Sequence, residues 1–132
     1  MSGTSTSIDR QPQTILIVED EELLRSAVSK ALRRMGKTVL EAYDGNGAVH
    51  LIQSYIDDID VIFLDITLPG TPSRQVVEEA IEKRPGALLI ITSAYPQRVA
   101  EETFPGVRIE HFLRKPYRLA ELSALLDPNR IT

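Results

Sequence analysis

Residues 61–65 read Val-Ile-Phe-Leu-Asp: four apolar side chains without interruption, then a lone carboxylate. An amphipathic surface strand alternates apolar and polar residues, so an unbroken apolar run of this length predicts a strand covered on both faces, as in a parallel sheet. Two more runs share the pattern, Thr14-Ile-Leu-Ile-Val18 and Ala87-Leu-Leu-Ile-Ile91, and two weaker ones flank them, Thr38-Val-Leu40 and Ile109 to Leu113. Helical periods fill the gaps. Leu23/Leu24, Ala27/Val28, Ala31/Leu32 and Met35 recur at i, i+4 and stop at Gly36. Ala48/Val49, Leu51/Ile52 and Tyr55/Ile56 follow Asp44, a predicted N-cap. Val76/Val77 and Ala80/Ile81 lie between Thr71-Pro72 and Pro85-Gly86, Gln97 to Thr103 forms a short helix, and Leu119, Leu122 and Leu125/Leu126 form the last. Five strands alternating with five helices predict a doubly wound α/β fold, with right-handed crossovers and helices on both faces.

Composition narrows the function classes. The chain has 132 residues, 42% hydrophobic and 26% charged, with a formal net charge of −4. That length suits one domain. With no cysteine, disulfide frameworks, Cys-ligated zinc, iron–sulfur clusters and thiol catalysis are excluded. No apolar run approaches the ~20 residues needed to span a bilayer. Residues 1–13 are polar and Ser/Thr-rich, which predicts a flexible N-terminal tail rather than a signal peptide. The mild acidity argues against direct nucleic-acid binding, which draws on a basic stripe. A cytoplasmic domain over 14–128, with a short C-terminal end at 129–132, is the expectation.

In open parallel sheets the crevice outside the carboxyl ends of the strands carries the chemistry. The first strand runs into Glu19-Asp20-Glu21, the third ends at Asp65, the fourth leads into Thr92-Ser93, and the fifth into Arg114-Lys115-Pro116. Glu19, Asp20, Asp65, Thr92 and Lys115 are thus predicted to converge. Carboxylates in such proximity repel unless a cation or a raised pKa relieves them. An all-oxygen set without His or Cys selects Mg2+ over zinc or copper. Lys115 offers a point charge for a phosphoryl oxygen and Thr92 a hydroxyl donor. The set suits a phosphoryl group carried on a carboxylate.

At these residues the chain resembles the receiver domain of two-component response regulators, over nearly all of Thr14 to Leu126. The matching stretches are ILIVEDE, VIFLDITLPG, LLIITSA and FLRKPY, in order and with spacings of 45 (20 to 65), 27 (65 to 92) and 23 (92 to 115). The resemblance implies a (βα)5 sheet of flavodoxin-like order 2-1-3-4-5. It implies Asp65 as phosphoacceptor from a histidine kinase or phosphotransfer protein. Asp20 would ligate Mg2+ directly and Glu19 through water, with Asp65 and the backbone carbonyl of Thr67 completing the protein ligands. Lys115 would pair with phosphoryl oxygens, Thr92 would bond the phosphoryl group, and Phe112 would be the aromatic switch. The Lys115–Pro116 bond would be cis. A downstream protein target, and a possible homodimer through the face of helix 4, strand 5 and helix 5, complete the implied partners. Neither membrane nor nucleic acid is among them. The chain would be a phosphoacceptor switch rather than an enzyme, either a stand-alone regulator or the receiver of a hybrid kinase.

Each residue has a plainer reading. Glu19–Glu21 suit the first turn of a helix, Asp65 a turn cap, Thr92 a strand end, Lys115 the surface and Phe112 the core. Asp57, Asp58 and Asp60 read as a solvated loop, because the Gly and Glu of a calcium loop are missing. Gly45-Asn-Gly47 lacks the third glycine of a dinucleotide fingerprint, and His50 and His111 have no evident nucleophile to serve. Ser73 stands where receiver domains usually carry Gly, and Thr71-Pro72 replaces the usual Met-Asp. At the two positions that modulate phosphoryl lifetime in receiver domains stand Thr67 and Ala94, neither a water-activating acid or amide, so the resemblance implies slow to moderate autodephosphorylation. Two other functions remain open at this point. One is a phosphorylation-independent receiver-like adaptor. The other is a Mg2+-dependent phosphohydrolase, disfavoured because Thr67 stands where its second Asp belongs.

Overall fold

The structure is a computed structural model that describes residues 12–67 and 72–127. Five strands, β1 (Thr14–Val18), β2 (Thr38–Ala42), β3 (Val61–Asp65), β4 (Leu88–Ser93) and β5 (His111–Arg114), form one parallel sheet of order β2-β1-β3-β4-β5. Five helices alternate with them: α1 (Glu22–Arg34), α2 (Gly45–Ser54), α3 (Ser73–Lys83), α4 (Gln97–Thr103) and α5 (Leu119–Leu126). This is the expected doubly wound (βα)5 architecture, with the strand order that the resemblance implied.

Side chains alternate across the sheet with a period of two, which splits the core in two. Ile15, Ile17, Val61, Phe63 and Ile90 face Val28 and Leu32 of α1 and Leu122 and Leu126 of α5. Leu16, Val18, Ile62, Leu64 and Ile91 face Ala48 and Ile52 of α2, Val76, Val77 and Ala80 of α3 and Ala100 of α4. Burial on both faces is why β3 tolerates no polar residue before Asp65.

Local chemistry sets the helix ends. The Asp44 side chain accepts from the Gly47 N–H at 2.8 Å and caps α2, as predicted. Gly36 takes a positive φ of 86° after α1, a conformation that costs glycine little. Elsewhere the expected bounds shift. α2 stops at Ser54, so Tyr55 and Ile56 lie exposed beyond it. Leu23 and Ile81 also fall off their apolar stripes into solvent.

β5 begins at His111, not Ile109: Ile109 is buried, but the ladder with β4 starts at the His111–Ile90 pair. β2 runs on to Ala42, because Glu41 and Ala42 pair with Ile17 and Val18. Asp60 does more than face solvent, since its Oδ2 accepts from the Thr14 N–H at 2.8 Å. Gln13, assigned to the tail, accepts from Lys37 Nζ at 2.7 Å, and its carbonyl accepts from Thr38 N–H. Residues 1–11 of that tail, the C-terminal end at 129–132 and the Leu68-Pro-Gly-Thr71 stretch lie outside the described residues.

The short α4 depends on Phe104, wholly buried at its C-terminus, where its N–H donates to the Ala100 carbonyl. Truncation there leaves a void in the α2–α4 core. Phe104→Ala therefore lowers stability by about 3–5 kcal/mol in urea unfolding, and Leu23→Ala, 87% exposed, by less than about 0.5 kcal/mol.

Candidate functional site

The alternation that fills the α1/α5 core continues past the ends of the strands. After Ile15 and Ile17 comes Glu19, after Val61 and Phe63 comes Asp65, and after Ile90 comes Thr92. Asp65 and Thr92 are register partners, and the Glu19 N–H extends the ladder by donating to the Ala42 carbonyl. All three side chains are buried, at 3%, 2% and 2% exposure, so the polar row sits where the apolar row left off.

One ammonium joins the two carboxylates of this row. Lys115 Nζ lies 2.8 Å from Asp65 Oδ2, 2.8 Å from Glu19 Oε1 and 3.0 Å from Glu21 Oε2. Its backbone N–H donates to the Ser93 carbonyl at 2.8 Å, and the Lys115–Pro116 bond is cis, as the resemblance implied. The other oxygen of Asp65 accepts two hydrogen bonds at 3.0 Å, from the Thr67 N–H and the Thr67 hydroxyl. Glu19 is anchored through its second carboxylate oxygen, which accepts from the Glu21 N–H, and through its carbonyl, which accepts from Arg25 at 2.9 Å. Arg25 in turn pairs with Glu41 on β2.

Glu19, Asp20 and Asp65 each place a carboxylate oxygen within 4.8 Å of the others. At an effective dielectric of about 20, each such pair of charges repels by about 3.5 kcal/mol or more, so the cluster selects for positive charge. Burial pushes the Glu19 carboxyl above its ordinary value. The Lys115 hydrogen bond and the Glu21 N–H oppose that shift, and the Asp65 charge adds to it. Burial would lower Lys115, but its hydrogen bonds to Asp65, Glu19 and Glu21 outweigh this and hold it well above the ordinary lysine value. Tyr117, packed edge-on against Phe63 at 5.5 Å, is pushed up to about 12 by burial and then by Glu19.

The structure thus brings together Glu19, Asp20, Asp65, Thr67 and Lys115, with Thr92 beside Asp65. Thr92 Oγ1 is buried without a hydrogen-bond partner among the described residues. A buried hydroxyl left without a partner costs about 1–3 kcal/mol. Phe112 is not in the cluster; it is half-buried, paired with Ile91, and packs on the α2–α4 side. Sequence reasoning missed Glu21 and Arg25, and took Thr67 only as a carbonyl.

The chain matches the model of the response regulator receiver domain over residues 15–127. It belongs to that family. It is 31% identical over 106 residues to a cyclic di-GMP phosphodiesterase of Thermotoga maritima, covering 80% of this chain and 28% of the relative. The crystal structure of the receiver domain from the hybrid histidine kinase CckA aligns with a TM-score of 0.71 at 30% identity, over 86% of this chain and 94% of that one. The CheX–CheY–BeF3–Mg2+ complex from Borrelia burgdorferi aligns with a TM-score of 0.75 at 25% identity, over 89% of each chain. The chain spans between 12% and 62% of the length of the curated relatives it matches. This receiver domain has no described helix long and apolar enough to cross a membrane.

Two outcomes follow from the electrostatics of the receiver domain. Lys115→Met leaves Asp65 and Glu19 buried without their cation, and unfolding at pH 7 shows a loss of about 3 kcal/mol. Glu19, raised when folded, binds its proton more readily in the folded state. Its cost is therefore absent below the ordinary 4.5 and grows as pH rises through the folded value. The stability of the wild type, measured against Glu19→Gln by urea unfolding, falls across that interval and is flat below it.

Proposed function

We propose that Asp65 is the phosphoacceptor of a two-component switch, and that its modification changes a protein-binding surface. The observation that carries this is the triple contact of Lys115 with Asp65, Glu19 and Glu21, beside an orphaned Thr92 hydroxyl. The Asp65 carboxylate attacks phosphorus, the P–N bond of a donor phosphohistidine breaks, the imidazole leaves with the bonding pair, and an acyl phosphate forms on Asp65. The donor is a histidine kinase or a phosphotransfer protein. Lys115 stabilises charge on the phosphoryl oxygens, and the Thr92 hydroxyl donates to one of them, meeting the need that its burial creates.

An all-oxygen donor set suits Mg2+, held by Asp20, Asp65 and the Thr67 carbonyl, with Glu19 through water; bound there, Mg2+ would neutralise charge as the phosphoryl group transfers. The CheX–CheY complex holding BeF3 and Mg2+ is in keeping with this assignment.

The acyl phosphate carries about −1.5 to −2 charges where the carboxylate carried about −1, and spreads them over three phosphoryl oxygens farther out, which draws Lys115 and Thr92 toward it. Phe112, on the strand between α4 and α5, relays that movement to the α4–β5–α5 face, where a downstream protein or a second copy binds. The domain turns over no substrate beyond its own phosphorylation and slow dephosphorylation. A cytoplasmic setting, and membership of either a stand-alone regulator or a hybrid kinase, belong to the same reading.

Intact-mass measurement after incubation with acetyl phosphate and Mg2+ tests this. A gain of one phosphoryl group is expected, abolished in Asp65→Asn and by EDTA. An unmodified wild-type mass, with Mg2+ binding shown, contradicts the reading and leaves the phosphorylation-independent adaptor.

A further inference from the structure

We infer that Ser73 is a positioning residue, acting on Asp65 through a single peptide plane. Ser73 is the first residue of α3, 6% exposed, and outside the charged cluster. Its hydroxyl donates to the Ile66 carbonyl, and lies 3.5 Å from the Asp65 carbonyl. The peptide that carries the Ile66 carbonyl carries the Thr67 N–H at its other end, and that N–H donates to Asp65 Oδ1 at 3.0 Å. A peptide unit is rigid and planar. Fixing its oxygen with the Ser73 hydroxyl therefore fixes the direction of its N–H. The two hydrogen bonds also run head to tail through one amide, so each polarises the other.

Helix capping does not account for this hydroxyl. The N–H groups of Gln75 and Val76, which a capping side chain would serve, donate instead to the Pro72 carbonyl. Ser73 reaches backward, to the turn that follows Asp65. The preceding peptide is already held, because the Ile66 N–H donates to the Thr92 carbonyl at 3.1 Å. Ser73 is the added tether that orients the Thr67 N–H on the Asp65 carboxylate, and with it the residue whose carbonyl is assigned to Mg2+. The inference rests on the phosphoacceptor reading for its consequence, but not for its geometry.

The test compares Ser73→Ala with Val77→Ala, which removes wholly buried volume from the same helix but no hydrogen bond to the turn. Hydrogen exchange of the Thr67 amide is read by NMR in the metal-free protein, and the dissociation constant of Mg2+ by calorimetry. Ser73→Ala is expected to speed Thr67 exchange and weaken Mg2+ binding by about three- to tenfold each, the equivalent of one neutral hydrogen bond. Val77→Ala, though less stable, leaves Mg2+ affinity unchanged. If Ser73→Ala keeps both quantities within about twofold of wild type, or if both variants change them alike, the positioning role is overturned. A wild type that takes up no phosphoryl group would overturn the phosphoacceptor reading, while the Thr67 exchange rate still decides for or against Ser73.

Discussion

The ammonium of Lys115, in contact with the carboxylates of Glu19, Glu21 and Asp65, is the interaction on which the carboxyl-terminal edge of the sheet depends. Strands β1 and β3 are neighbours, so their terminal carboxylates are forced together by the same ladder that buries Ile17 and Phe63 beneath them. Without a cation the repulsion would work against the pairing of those strands. Lys115 supplies one positive charge from the far side of the sheet, because β5 delivers it past β4 to reach Asp65. The ammonium is a partial remedy, since Asp20 adds a further carboxylate to the cluster and takes no part in the Lys115 contacts.

That incomplete neutralisation separates what the domain needs in order to fold from what it needs in order to act. The two apolar cores flanking the sheet supply the stability. The polar row above them contributes an under-compensated negative patch and a buried hydroxyl with no partner among the described residues. Both are deficits in the resting molecule, and a divalent cation with a phosphoryl group on Asp65 would relieve both. The tethers around the cluster, namely Arg25 on the Glu19 carbonyl, Thr67 on Asp65 Oδ1 and Ser73 on the Ile66 carbonyl, keep the patch from relaxing by moving apart.

Much of this was legible in the sequence because burial writes an unambiguous pattern. VIFLD and TILIV cannot be surface strands, and a charge directly after such a run falls at the edge of a covered sheet. Glu19, Asp20 and Asp65 were found that way, and Lys115 from the Phe112-Leu-Arg-Lys115-Pro116 stretch after the weaker fifth run. The rest was hidden for physical reasons. Glu21 looked like a helix-start residue, and its reach to Lys115 depends on a separation of 94 positions that only the fold closes. Ser73 was visible as a departure from the family pattern, but a hydroxyl's target cannot be read from its position. The start of β5 was misplaced because Ile109 is buried without pairing, and burial alone cannot distinguish a strand from the loop leading into it.

The central claim is that this edge holds an excess of negative charge shaped for a divalent cation. It is tested most directly by the melting temperature of the unphosphorylated protein as a function of Mg2+ concentration, with ionic strength held constant by NaCl. A ligand bound only by the folded state raises the midpoint logarithmically once its concentration exceeds the dissociation constant. The account predicts such a rise in the wild type and its loss in Asp20→Asn. A midpoint independent of Mg2+, or an equal rise in both proteins, would contradict it.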